Sequence, residues 1–330
     1  MAGCRPDPAF DPQSLPRSLG QQTAGKVLSG DAVGSRAQLL PVVSLLEGLG
    51  TLPSHELLVM TALGAAAGLC SGLLGIGGGL VTVPGLLLVL HGLGYPDAVV
   101  PLLAAGTSLG LMVFTALGSA WGHWRNGTIR FDVLQPILPW VLSAELAGVV
   151  VAHWLRPRLL EQLMAVLVLS MGVLMLRPRR QEPPEASVSP PHRPLAEDHP
   201  LAGQRLWVTG GVSGLIGLKS GIFGLGGGAI AIPYFSWIGL EPRQVAGTTS
   251  LLTWPLALIG GLIYFFSPEP PGPHLIGVHG AVQLLAIAVM APVSMAMAPL
   301  GSRLCMLIPQ SALRLLFALF LMAVGLRVLL

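Results

Sequence analysis

Two short stretches carry the residue types that could hold a solute. Residues 69–84 read LCSGLLGIGGGLVTVP and residues 218–233 read LKSGIFGLGGGAIAIP, one sixteen-residue unit written twice at an offset of 149, with eight positions identical. Gly75, Gly77, Gly78 and Gly79 match Gly224, Gly226, Gly227 and Gly228, and Pro84 matches Pro233. Each glycine costs a helix about 1 kcal/mol relative to alanine, so a triplet inside an apolar run reads as an intended opening of the backbone. Open backbone at membrane depth is tolerated only against protein or a water-filled cavity. Unpaired amides at a helix N-terminus favour anions, and paired Gly-broken hydrophobic segments are a pointer to a transporter's binding site. The competing reading is close helix packing through small residues; two matching copies, each ending in proline, favour the pathway.

Further polar groups accompany the breaks. AGTS at 105–108 answers AGTTS at 246–250, and setting Thr107 and Ser108 over Thr249 and Ser250 leaves the first half seven residues longer between its proline and this motif. These hydroxyls lie early in the next apolar run of each half, placed to bond a polar solute or to bond back onto their own helix. Lys219 is the only formally charged residue between Leu206 and Leu240, where the first unit has Cys70. An intramembrane cation is costly and a functional candidate by default. It either draws an oxyanion to the break or snorkels or pairs with Glu145, the lone acid of the run 133–155. Glu145 is also a candidate for proton coupling.

Other chemistries lack support. His91, His123, His153, His274 and His279 fall near run ends without metal-ligand spacing, which makes them interfacial or loop residues. Cys4, Cys70 and Cys305 form neither a disulfide framework nor a zinc site. No P-loop, GxSxG elbow or HExxH is present, so neither an ATPase of its own, the common hydrolase chemistries, a metal nor a cofactor is expected.

The elements that must position these groups are membrane helices. The chain has 330 residues, 52% hydrophobic and 10% charged, with a mean hydropathy of +0.73, whereas a soluble domain carries about 25% charged residues. From Leu57 to Gly118 the only formal charge is Asp97, and from Gln244 to Ser302 it is Glu269. Runs of this purity exceed the roughly 20 residues that a spanning helix needs. The net charge of +3 resides at run ends and in loops, as the positive-inside rule expects, so no nucleic-acid partner follows. The fold class is all-α, a polytopic transmembrane helical bundle of two homologous repeats with Gly-broken or re-entrant helices.

Residues 1–56, with six prolines, read as a disordered amino-terminal arm; 57–176 form the first transmembrane repeat and 206–330 the second. Between them, 177–205 is a linker loop with seven prolines and five arginines, the strongest cytoplasmic candidate after the start. The run 57–93 would measure about 55 Å as one helix against a core of about 30 Å, so it breaks or folds back at GIGGG. Four crossings per half make the halves parallel; a crossing added at the break inverts them. In the four-crossing arrangement the Lys/Arg-free loop 91–97 is external, while 267–277, equally bare, falls inside.

The doubled GIGGG and GLGGG units with their trailing prolines, followed by GTS-like motifs, resemble the sulfite exporter TauE/SafE family over about residues 57–330. The resemblance implies a multi-pass inner or plasma membrane protein, built by duplication, that moves sulfur-containing anions such as sulfite, thiosulfate or sulfonates. It places the family's motif on Gly75, Gly77, Gly78, Gly79 and Pro84 and on Gly224, Gly226, Gly227, Gly228 and Pro233; Lys219 maps to no family role. The expectation is a secondary transporter of a small anion working by alternating access, with the lipid bilayer around it and a proton or another ion coupled to it. The rival is an intramembrane enzyme or assembly factor that transports nothing.

Overall fold

The structure, a computed structural model, describes residues 54–75, 77–176, 206–269 and 277–304 and part of 315–327. The expectations for residues 1–53 and for the linker 177–205 lie outside the described residues. Helix α1 spans Ser54–Leu74, α2 Gly79–Gly92, α3 Val100–Arg125, α4 Phe131–Trp154 and α5 Pro157–Leu176. The second half has α6 Leu206–Phe223, α7 Gly228–Trp237, α8 Pro242–Phe265 and α9 Leu284–Leu304. Six of these helices, α1, α3, α4, α5, α8 and α9, are long and apolar enough to cross a membrane; α2 and α6 are shorter and equally apolar.

Local chemistry sets the ends. A capping box joins Glu241 and Gln244 at the start of α8, with Pro242 in its first turn, which satisfies amides that no helical carbonyl reaches. Arg130 and Asp132 pair at 2.7 Å at the entrance to α4. The apolar run that begins at Val278 does not start as helix: Val278–His279 and Val282–Gln283 form a hairpin around Gly280 (φ 57°) before α9 begins. The amide of Gln283 donates to Thr107 Oγ1 at 2.8 Å, which fixes this hairpin to α3.

Packing exchanges the halves. A Cβ on Gly64, Gly68 or Gly72 would lie 2.9, 2.3 or 2.0 Å from the carbonyl oxygens of Met290, Ser294 and Ala298, so α1 runs along α9 in the same direction. Likewise a Cβ on Gly217 or Gly221 would lie 2.0 or 2.4 Å from the carbonyls of Val141 and Glu145, so α6 runs along α4. Only glycine permits such approach, and in a bilayer close packing is a main source of helix association. The first helix of each half thus lies on the third long helix of the other half.

Between these pairs α3 and α8 cross antiparallel. Gly106 faces Tyr264, Gly260 faces Leu109, and the Ser119 and Ser250 hydroxyls bond at 2.8 Å. The two stretches that match in sequence therefore run in opposite directions through the bundle. At the first break the chain folds back, with Gly78 against the Ala67 carbonyl and Gly85 against Leu63, so α1 and α2 form a re-entrant hairpin. At the second, Gly227 packs against Ile216 of α6 in the same manner.

With the matched stretches antiparallel, the Lys/Arg-free loop 91–97 and the start of α9 share one end of the bundle. Gln283 Nε2 donates to the Tyr95 hydroxyl at 3.1 Å, so the loop 93–99 and the hairpin before α9 lie at one end of the bundle. The opposite end carries Arg125, Arg130 and Arg303, and there the Arg130 amide donates to Thr248 Oγ1 at 3.0 Å. Helix α5 ends and α6 begins at that arginine-bearing end.

Candidate functional site

Both breaks open the backbone by the same device. Gly75 and Gly224 adopt φ of 69° and 66°, and their amides close the preceding helices onto Ser71 and Ser220 carbonyls at 2.8 Å. Gly77 (71°) and Gly226 (64°) repeat the left-handed turn, a conformation that any Cβ would strain. The third glycines part company: Gly78 precedes α2 at φ 84°, whereas Gly227 precedes α7 at −71°. Neither α2 nor α7 has a side-chain cap at its N-terminus; in α2 the Val81 and Thr82 amides both close on Gly78 O at 2.9 Å, which leaves those of Gly79 and Leu80, with the first three of α7, without a helical acceptor. Pro84 and Pro233, each the sixth residue of its short helix, lack an N–H and leave the carbonyls of Leu80 and Ala229 without their usual donors.

The breaks meet inside the bundle. A Cβ on Gly79 would lie 2.8 Å from the Leu225 carbonyl carbon and 2.9 Å from Met112 Sδ, and one on Gly77 would strike Thr253 Cγ2 at 2.3 Å. Met112 and Thr253 lie near the middles of α3 and α8, so the junction is at mid-depth. Each break also rests on the small-residue motif of the other half, with Gly75 against Ala246 and Gly224 against Ala105, at 2.1 and 2.4 Å from their carbonyl oxygens.

Side chains from α3, α6 and α8 hold the opened carbonyls. Ser108 donates to Gly224 O at 2.9 Å, Thr115 to Gly77 O at 2.9 Å, Ser119 to Ser71 O at 3.0 Å and Tyr264 to Gly221 O at 2.8 Å. His123 Nε2 bonds Gly72 O at 3.0 Å, and its ring is buried among the helices near the end of α3. Lys219, 6% exposed, donates its ammonium to Gly226 O. No ion pair joins Lys219 to Glu145, although the two interact electrostatically. Ser250 back-bonds to Ala246 O at 2.8 Å, whereas the buried Thr249 Oγ1 has no partner.

These contacts change one alignment. Thr107 accepts the Gln283 amide as Thr248 accepts the Arg130 amide, and Ala105 meets Gly224 as Ala246 meets Gly75. Thr107 and Ser108 therefore correspond to Thr248 and Thr249, one residue earlier than sequence spacing suggests. Thr107 serves the hairpin, Ser108 and Thr115 bond the breaks directly, and the contacts match Thr249 with Ser108. The sequence reading passed over Thr115, Ser119 and Thr253. Their signal was a polar stripe at helical spacing, 108, 115 and 119 on α3 and 249 and 253 on α8.

What the arrangement can do follows from its polarity. Several carbonyls around the breaks have side-chain donors, and two uncapped helix N-termini and one buried ammonium are there to meet a negative charge. At the arginine-bearing end, a cleft of about 300 Å³ lies between the ends of α3 and α9, lined by Trp121, Arg125, Ser302 and Arg303 among others, and Arg125 stacks over Trp121 at 5.2 Å. Among the described residues no cluster of His, Cys, Asp and Glu could hold a metal ion.

Comparison with known proteins points to membrane transporters. The profile described as sulfite exporter TauE/SafE matches residues 60–328. A probable membrane transporter protein of Haemophilus influenzae is 29% identical over 275 residues, covering 82% of this chain and 96% of its own. The probable membrane transporter protein YunE of Bacillus subtilis is 24% identical over 213 residues, 62% of this chain and 76% of its own. No solved structure matches the chain.

Proposed function

The chain belongs to the sulfite exporter TauE/SafE family of membrane transporters, and we propose that it carries a small anion, a sulfur oxyanion or organosulfonate, as a secondary transporter working by alternating access. The observation that carries this reading is the meeting of the two broken arms at Gly79 and Leu225, with uncapped helix N-termini and the Lys219 ammonium beside them. The first-turn amides of α2 and α7 donate to the anion's oxygens, Lys219 compensates its charge, and Thr249 offers a hydroxyl with no other partner. Sulfite, thiosulfate and sulfonates suit such a site because each presents several oxygens to many donors at once.

Alternating access is supported by the exchanged packing. Two internal stretches of opposite direction, each contributing one break, give a site that either of two related faces can reach when one helix group rocks against the other. The internal duplication is part of the proposal, supported by equivalent contacts at matched glycines. The arginine-bearing end is cytoplasmic in this reading, because it gathers Arg125, Arg130, Arg243 and Arg303.

The test is uptake of labelled sulfite, thiosulfate and methanesulfonate into proteoliposomes. At least one is carried by the wild type, and Gly77→Leu and Gly226→Leu each abolish that flux while the protein still reaches the membrane. Near-normal flux in both variants refutes the site.

A further inference from the structure

Glu145 is the group the anion site leaves unused. It is 0% exposed, in the middle of α4, wedged where α4, α6 and α8 meet. A Cβ on Gly260 would fall 2.4 Å from its Oε1, and Gly221 of α6 presses on its backbone carbonyl. Ser220 and the Gly221 backbone lie beside the carboxyl group, yet neither oxygen accepts a hydrogen bond of normal geometry. The titratable groups around it are few. Lys219 on α6 acts on it electrostatically. Tyr264 on α8 gives its hydroxyl to Gly221 O instead. His153, two turns further along α4, stacks on the Tyr264 ring at 5.2 Å and has its Nδ1 against Val149 O.

The opposite arm supplies the control. Gly72 meets the Ala298 carbonyl as Gly221 meets that of Glu145, so the contacts match Glu145 with Ala298, and the sequence matches Lys219 with Cys70. The same helix seam is thus built elsewhere without an acid or a cation. An intramembrane carboxyl that packing does not require and that no hydrogen bond holds is free to change its charge when the compensating charge nearby changes.

Resting on the anion site above, we propose that Glu145 is a proton site that binds one proton each time an anion binds beside Lys219. In the empty transporter the Lys219 ammonium, which makes no direct ion pair with Glu145, is the nearby charge that favours an ionised carboxylate there. The arriving anion becomes the counter-ion of Lys219, and Glu145, now without compensation, takes up one proton from water. No covalent bond other than O–H forms, and no electrons are transferred. A monoanion and its proton then cross together as a neutral pair.

The experiment uses the full chain in detergent, with thiosulfate and methanesulfonate as probes, since neither titrates across the neutral range. Calorimetry in two buffers of different protonation enthalpy counts the protons taken up. The wild type takes up one proton per anion bound, and its affinity falls up to tenfold for each pH unit of rise above the Glu145 titration. Glu145→Gln, and Glu145→Ala in imitation of Ala298, abolish both the proton count and the pH slope. Anion binding by the wild type without proton uptake overturns this inference and leaves the anion site standing. Proton uptake that persists in a Glu145 variant that binds anion also overturns it. Failure of the wild type to bind or transport any of the anions overturns the anion site as well.

Discussion

The α1–α2 arm and the α6–α7 arm have almost the same backbone and quite different side chains. Each closes its first helix on a serine carbonyl, turns through left-handed glycines, three in the first arm and two in the second, and restarts as an uncapped helix. Yet Cys70 of one arm, with Ala298, Ser119 and His123 packed on it, stands where the other has Lys219, with Glu145, Gly260 and Tyr264 around it. The glycine turns and helix seams are what the fold demands, so they occur twice. The charges are not demanded by the fold, so they occur once, and the difference separates scaffold from chemistry.

The largest effect should fall on the shared part and be equal in both arms. Gly75→Val and Gly224→Val each combine a positive φ with a Cβ closer than 2.5 Å to a backbone oxygen, and each should cost about 3 kcal/mol or more. Thermal unfolding in detergent checks this, and a large drop for only one of the two would break the equivalence.

A middle-sized effect should fall on one arm alone. Lys219→Met removes a charge-assisted donor and should weaken anion binding by about tenfold to a hundredfold, whereas Cys70→Met at the matching position should leave affinity within about twofold. Equal losses at both positions would return Lys219 to a packing role.

The smallest contrast concerns two hydroxyls. Ser108 donates to Gly224 O whereas Thr249 Oγ1 has no protein partner. Ser108→Ala should therefore cost about 1 kcal/mol of stability and Thr249→Val close to nothing, while Thr249→Val should lower anion affinity in the binding assay. A stability loss at Thr249 as large as at Ser108 would mean that its hydroxyl is part of the scaffold.

Much of this was legible beforehand. The glycine triplets ended helices where the sequence placed the breaks, since no other residue gives that backbone so cheaply, and Ser108 and Lys219 both reach a break. The Thr248 register was lost because an extra threonine in AGTTS makes two alignments equally good by eye. Only contacts with Gln283 and Arg130 choose between them. The inward turn of His123 was not legible, because nearness to a run end does not say which face of a helix is turned inward.

Composition and apolar run length by themselves determined a helical membrane protein, because long runs nearly free of charge and without a barrel strand's alternation satisfy their backbone in lipid as helices. The doubled unit by itself located the openings. Tertiary structure alone decided that α1 and α2 form a hairpin, that the matched stretches run in opposite directions, and that each first helix packs on the other half. Those outcomes depend on which glycine faces which neighbour across the bundle, a relation between residues from different helices that no local pattern records.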